Sequence, residues 1–149
     1  MRPMDRGIAK AFVLKLLVER PLHGYEIMKR INEITGFVPS PGHIYMLLKK
    51  LEKEDLVDVT VTYFGGRRIR LYKLSEKGRK FLEDNKDLVN RVDTYVERFR
   101  RAKEIELHKL LKVAYNIFES LDRMSNEKIE YLRNVIENFV KDINKVIGW

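Results

Sequence analysis

The stretch Ser40–Asp55, SPGHIYMLLKKLEKED, limits what this chain can fold into more than any other. Ser40 is placed to cap a helix, and Pro41 fits the first turn, where a missing N–H costs nothing. Ile44, Leu47, Leu48 and Leu51 follow at i, i+3, i+4 and i+7, which turns one side of the helix inward. At ~100° per residue the opposite side carries Gly42, Met46, Lys49 and Lys53, with His43, Tyr45 and Lys50 on its flanks. An apolar back, a basic front and a small-residue start suit a helix that lies in a DNA major groove. A solvated surface helix shows the same broad pattern, so the flanking segments decide between the two readings.

Upstream, the pattern predicts two helices. The first runs from about Gly7 to Arg20, with Ile8, Phe12 and Leu16 on a broad buried stripe, and Pro21 stops it. The second runs from about Gly24 to Thr35, with Ile27, Met28, Ile31 and Ile34 inward and Gly36 as its C-terminal glycine. A short connector, 36–39, then leads into the third helix, which completes a helix-turn-helix plan with recognition helix 40–54. Arg2 and Arg6 form a short basic arm ahead of it. Downstream, Val57, Val59, Val61 and Tyr63 alternate with Asp58, Thr60 and Thr62, the period of a half-buried strand. Gly65-Gly66 supplies a tight turn, and about Arg68–Leu74 returns. Arg67, Arg68 and Arg70 stand at or just past the tip, so the hairpin reads as a wing, 63–70, reaching DNA phosphates or a minor groove. Taken without the helices before it, the hairpin has a plainer alternative, a surface hairpin with solubilising arginines.

Beyond the wing, Ser75 caps another helix, and from Phe81 the chain reads as helical almost to its end. Leu88, Val92, Tyr95 and Phe99 recur at alternating 4,3 spacing, the period of a seam between packed helices. A further stripe runs from Leu107 to Leu121. Ser125 is placed to cap a last helix, with Met124 and Ile129 as a hydrophobic staple and an apolar face from Ile129 to Val146. This is more apolar surface than a small winged domain absorbs, so a homodimer through Leu88, Val92, Tyr95 and Phe99 is expected, with an intramolecular bundle as the alternative. The expected fold class is mainly α (α+β): an N-terminal winged helix-turn-helix with a two-stranded wing at 1–82, then long C-terminal dimerisation helices at 83–149.

The charge is distributed to match. Of the net +8, all falls in residues 1–82, which hold 17 Lys/Arg against 9 Asp/Glu, while residues 83–149 hold 13 of each. A basic module joined to a neutral one points to a polyanionic partner, double-stranded DNA first. With 149 residues the chain is one domain, or one with an appendage. No apolar run approaches the ~20 residues of a membrane span, and Lys10 and Lys15 interrupt the only candidate signal segment. The absence of cysteine excludes disulfides and thiolate metal sites. A cytoplasmic protein with no membrane partner is expected. His23, His43 and His108 are scattered and no HExxH, Walker or GxSxG motif occurs, so neither an enzyme nor a cofactor or metal is expected. Tyr95, Phe99, Tyr115 and Phe118 form a candidate lining for a ligand cavity, though aromatics at helical spacing are also plain core.

Four motifs, in order, carry a family resemblance: Pro21-Leu22-His23-Gly24-Tyr25-Glu26-Ile27, then Ser40-Pro41-Gly42-His43-Ile44-Tyr45, then Leu48-x-x-Leu51-Glu52, then Arg70-x-Tyr72-x-Leu74-Ser75-x-x-Gly78. They resemble the PadR-like transcriptional regulators. The resemblance implies a winged-helix homodimer, a repressor in most members, with C-terminal helices for dimerisation and, in several members, a small aromatic effector; the two-fold axis of such a dimer leads to an expected inverted-repeat operator. Met46 stands where the family often has proline and His43 where Thr or Ser is common, so the operator sequence does not carry over. The only tryptophan is Trp149, so a drug-stacking tryptophan in the dimerisation helix is not implied. Together, facing and resemblance select Ser40, Gly42, His43, Tyr45, Met46, Lys49 and Lys50 on the helix and Gly66, Arg67 and Arg68 on the wing as DNA contacts. The competing expectation is a winged-helix protein-interaction module without a specific DNA target.

Overall fold

Helix α1 (Arg6–Glu19) is the centre about which the fold is laid down, and it is apolar nearly all round. Ile8, Ala11, Val13 and Leu14 are at most 1% exposed, and Phe12, Leu16 and Leu17 are also buried. Burial of each large side chain here contributes about 1.5–3 kcal/mol. The computed structural model describes residues 6–148; Arg2 of the expected basic arm and Trp149 lie outside the described residues.

A short strand β1 (Leu22–His23) follows, then α2 (Gly24–Thr35) and α3 (Pro41–Lys53). Next come β2 (Val57–Phe64), β3 (Arg67–Leu74), α4 (Glu76–Asp84) and α5 (Lys86–Glu104). Helix α6 (Leu107–Ser120), one 3-10 turn at Leu121–Arg123 and α7 (Asn126–Ile147) complete the described chain. The sheet is antiparallel and three-stranded, in the order β1-β3-β2, because Leu22 and His23 pair with Tyr72 and Leu71. The sequence reading expects only the two strands of the hairpin, since a two-residue strand leaves no periodicity.

Helix boundaries follow chemistry that the sequence displays. Gly36 ends α2 at φ 76°, and its N–H reaches the Asn32 carbonyl at 2.8 Å. The Ser75 hydroxyl accepts the Gly78 N–H at 2.9 Å and donates to the Asp55 carbonyl at 2.7 Å, joining α4 to the end of α3. Ser125 caps α7 in the same manner, accepting the Lys128 N–H at 3.4 Å. Chain from Phe81 onward is broken at Asn85, at Ile105–Glu106 and around Leu121–Met124 rather than continuous.

The described chain divides into two compact units, with the boundary between His108 and Lys109. The first runs past the expected boundary at residue 82 because α5 packs on α1 and α2. Val92 is 1% exposed in the core there, with Leu88 and Tyr95 packed against that core. Phe99 meets Phe37 edge-on at 6.1 Å between ring centres. The seam expected to meet a second copy therefore packs within its own chain. Periodicity at 3.5 shows that a face is covered, not which surface covers it. In α6 and α7, by contrast, no residue is buried.

Candidate nucleic-acid interface

Helix α3 presents two unlike sides. Ile44, Leu48 and Leu51 are buried in the core, while Gly42, His43, Tyr45, Met46, Lys49 and Lys50 are exposed. Met46, 66% exposed, is a large apolar side chain held in solvent at the middle of the helix. At the helix start, Ser40 has extended backbone but makes no side-chain capping bond, so its hydroxyl is not tied to the helix's own N–H groups. The connector before it is fixed from behind: the Thr35 hydroxyl accepts the Phe37 N–H at 3.1 Å and donates to the Ile31 carbonyl at 2.8 Å.

The start of α2 is closed by a reciprocal cap. The His23 Nδ1 accepts the Glu26 N–H at 3.3 Å, and the Glu26 carboxylate accepts the His23 N–H at 3.2 Å. Burial alone would push the Glu26 carboxyl up, but hydrogen bonds from Arg20 and the His23 N–H, with the charge of both residues, hold it below its usual value. His23 is thus structural, as its place beside Pro21 and Gly24 suggests. Gly24 explains why two of the sequence motifs occur together: a Cβ there would sit 2.6 Å from the Tyr45 ring. The ring of Tyr45 lies over this glycine, which places it between α2 and the outer side of α3.

The wing turns on Gly65 and Gly66, at φ 55° and 75°, where residues with a Cβ are strained. Phe64 pairs with Arg67 across this two-residue turn. Exposure rises steadily along β2: Val57 is 4% exposed, Val61 42% and Tyr63 73%, so the hairpin leaves the core and projects into solvent. Arg67 and Arg68 are exposed at its tip.

Between α3, the start of α2 and β3 lies an open groove of about 860 Å³. Tyr45, Lys49 and Glu52 line it from α3, Arg68 and Arg70 from the wing, and Tyr25 and Lys29 from α2. Basic side chains on three elements thus converge on one concavity. Of the residues chosen from sequence, Tyr45, Lys49 and Arg68 enter the groove; Ser40, Gly42, His43, Met46 and Lys50 lie on the exposed α3 surface, and Gly66 and Arg67 at the wing tip. Lys50 also lies 3.8 Å from Glu54. Sequence reasoning passes over Tyr25, Lys29 and Glu52 as groove residues. The only signal for Lys29 is its spacing of four from Tyr25. Glu52 and Arg70 stand in the family-like motifs but show no complementarity until the fold pairs them at 2.6 Å. Of the aromatic set expected for a ligand cavity, Tyr95 and Phe99 are half-buried on α5, and Tyr115 and Phe118 are 63% and 70% exposed on α6.

The family model "Transcriptional regulator PadR-like family" matches residues 13–84. The transcriptional regulator YqjI of Escherichia coli K12 is 30% identical over 98 residues, which are 64% of this chain and 46% of that protein. The chain thus spans about half the length of the curated relatives it first matches. A PadR-like transcriptional regulator from Bacillus cereus has a similar structure, at TM-score 0.51 and 28% identity, covering 62% of this chain and 90% of that one. A PadR family transcription regulator from Clostridium difficile superposes at TM-score 0.50 and 26% identity, covering 60% and 95%. Among the described residues no helix is long and apolar enough to cross a membrane. The family model and that family's solved structures agree on the winged helix: through this region the chain belongs to the PadR-like family of transcriptional regulators.

Proposed function

We propose that the chain is a sequence-specific DNA-binding repressor that works as a homodimer on an inverted-repeat operator. The observation that carries this reading is the groove in which Lys29, Lys49 and Arg68 converge beside the exposed face of α3. Phosphates attract all three cations without regard to sequence. His43 and Met46, exposed on α3, reach base edges in the major groove. The α3 N-terminus with its uncapped Ser40 takes a phosphate, and Tyr45 offers its hydroxyl to the backbone. Gly66 lets the wing approach DNA closely while Arg67 and Arg68 follow the phosphates.

Dimerisation is supported by α6 and α7, whose apolar faces include Leu110, Leu111, Ile136 and Phe139, all more than 40% exposed in the single chain. Two α3 helices related by a two-fold axis would enter successive major grooves about 34 Å apart.

The test is selection of bound sequences from genomic fragments with the purified protein. An inverted repeat with half-sites about one turn apart is expected. Recovery of no preferred sequence, with weak and salt-insensitive retention on heparin, would instead favour a module that binds protein.

A further inference from the structure

Two carboxylates, Glu26 and Glu52, line the groove where the proposed function calls for cations; Glu26 is held by Arg20 and the His23 N–H. Glu52, on the last turn of α3, lines the groove together with Lys29, Lys49, Arg68 and Arg70. An unpaired carboxylate in that position repels an approaching phosphate. It is not unpaired: the Arg70 guanidinium donates to Glu52 Oε1 at 2.6 Å, and its carbon lies 5.8 Å from the centre of the Tyr72 ring. Arg70 is thus held between an aromatic face and a carboxylate, each of which orients it.

The position of this pair along the hairpin gives it a role. Arg70 lies opposite Val61, two residue pairs beyond the pairing of Val59 with Tyr72. Tyr72 is 3% exposed and belongs to the core, whereas Val61 is already 42% exposed. The pair therefore sits where the hairpin leaves the core. Beyond it, Thr62–Ile69 continue as a hydrogen-bonded ladder closed by the Gly65-Gly66 turn. Among the described residues, no other side-chain hydrogen bond or ion pair that the structure shows joins α3 to the hairpin.

We propose that Glu52 and Arg70 form a latch that fixes the angle between the recognition helix and the wing. In this role Arg70, although it belongs to the arginine-rich hairpin, is a positioning residue and not a phosphate contact. The latch sets the spacing between the base-reading side chains of α3 and the phosphate-binding tip at Arg67 and Arg68. It rests on the DNA-binding reading only for its consequence in binding, since the fixed wing is a property of the free protein.

The test has two arms on the full chain. Hydrogen exchange of the hairpin amides from Thr62 to Ile69 is compared in wild type, Glu52→Gln, Arg70→Gln and the charge swap Glu52→Arg with Arg70→Glu. Both single variants should exchange faster and the swap should return toward wild type. In the second arm, each protein binds its selected duplex and a random one across a salt series. Glu52→Gln should lose about fivefold in the ratio of specific to random affinity, the scale of a half-exposed ion pair. The swap should regain that ratio, and Arg70→Gln should weaken specific binding with its salt slope unchanged. Wild-type exchange in both single variants overturns the latch, as does a fall of about 0.9 in the salt slope of Arg70→Gln, which marks a phosphate contact. A wild-type protein with no duplex preference overturns the DNA reading alone, and the exchange arm still decides the latch.

Discussion

Two glycines show how much a single position depends on what stands next to it. At Gly24 an added Cβ meets the Tyr45 ring, whose half-exposed side chain can swing into solvent. Gly24→Ala should leave the fold within about 1 kcal/mol of wild type, a loss read by chemical denaturation. DNA affinity should still fall, because Tyr45 leaves its place in the groove. At Gly78 the added atom meets the Leu56 carbonyl oxygen at 2.2 Å, which is backbone and cannot step aside. Gly78→Ala should destabilise by about 1–3 kcal/mol or more in the same measurement, the cost of overpacking. Carboxylates set the response to acid. The hydrogen bond from Lys10 holds Glu54 below its ordinary 4.5, and the hydrogen bonds from Arg100 and then Arg101 bring Glu97 down to about 2. Both folded values lie below the unfolded one, so their contribution is complete above about pH 4.5 and is lost as pH falls toward 2. Urea midpoints measured from pH 7 to 2.5 should therefore hold level with respect to these groups and then decline below about pH 4.5. Glu54→Gln should start lower and decline less steeply; an acid limb as steep as wild type would remove Glu54 from the account.

At the scale of elements, α3 and the wing are the parts whose roles separate cleanly. Arg67→Ala with Arg68→Ala should weaken binding to every duplex and reduce the log–log salt slope by about 0.9 for each phosphate left without its arginine. His43→Ala should act the other way, changing preference by about 1–3 kcal/mol at one position per half-site with the slope kept. Competition binding across a salt series reads both, and an unchanged preference would remove His43 from base reading. These elements are also the legible ones. Ser40-Pro41, the i, i+3, i+4, i+7 run and the Gly65-Gly66 turn are local signals, and local chemistry decides helix starts, buried faces and tight turns. β1 is not legible, because two residues carry no period and Leu22 joins the sheet only through Tyr72, fifty positions away. The same holds for Glu52 with Arg70 and for Gly24 with Tyr45: each motif stands in the sequence, while the contact that explains it exists only in the fold.

At the scale of the whole molecule, Val92 decides how the dimer has to be tested. The 4,3 spacing of Leu88, Val92, Tyr95 and Phe99 suits a seam between two copies, yet Val92 is 1% exposed within one chain. Val92→Glu would bury a carboxylate without a partner inside the winged unit, at a cost of several kcal/mol. It should therefore unfold that unit, seen as loss of the cooperative thermal transition, rather than yield a folded monomer. Phe139 and Ile136 on α7 are 43% and 44% exposed in the single chain, so a charge there meets solvent until a second copy arrives. Phe139→Glu should leave the melting of the winged unit near wild type while the protein sediments as a monomer. Losing the two-fold axis loses the paired half-sites, so specific affinity should drop to the weak, salt-sensitive level shown for any duplex. If Phe139→Glu and Ile136→Glu both stay dimeric with wild-type operator affinity, the apolar face of α7 is not the dimer contact, and α6 becomes the next surface to charge. If Val92→Glu instead sediments as a folded monomer, α5 must detach from α1 at a cost the winged unit can bear, and the seam would return to the interface between copies.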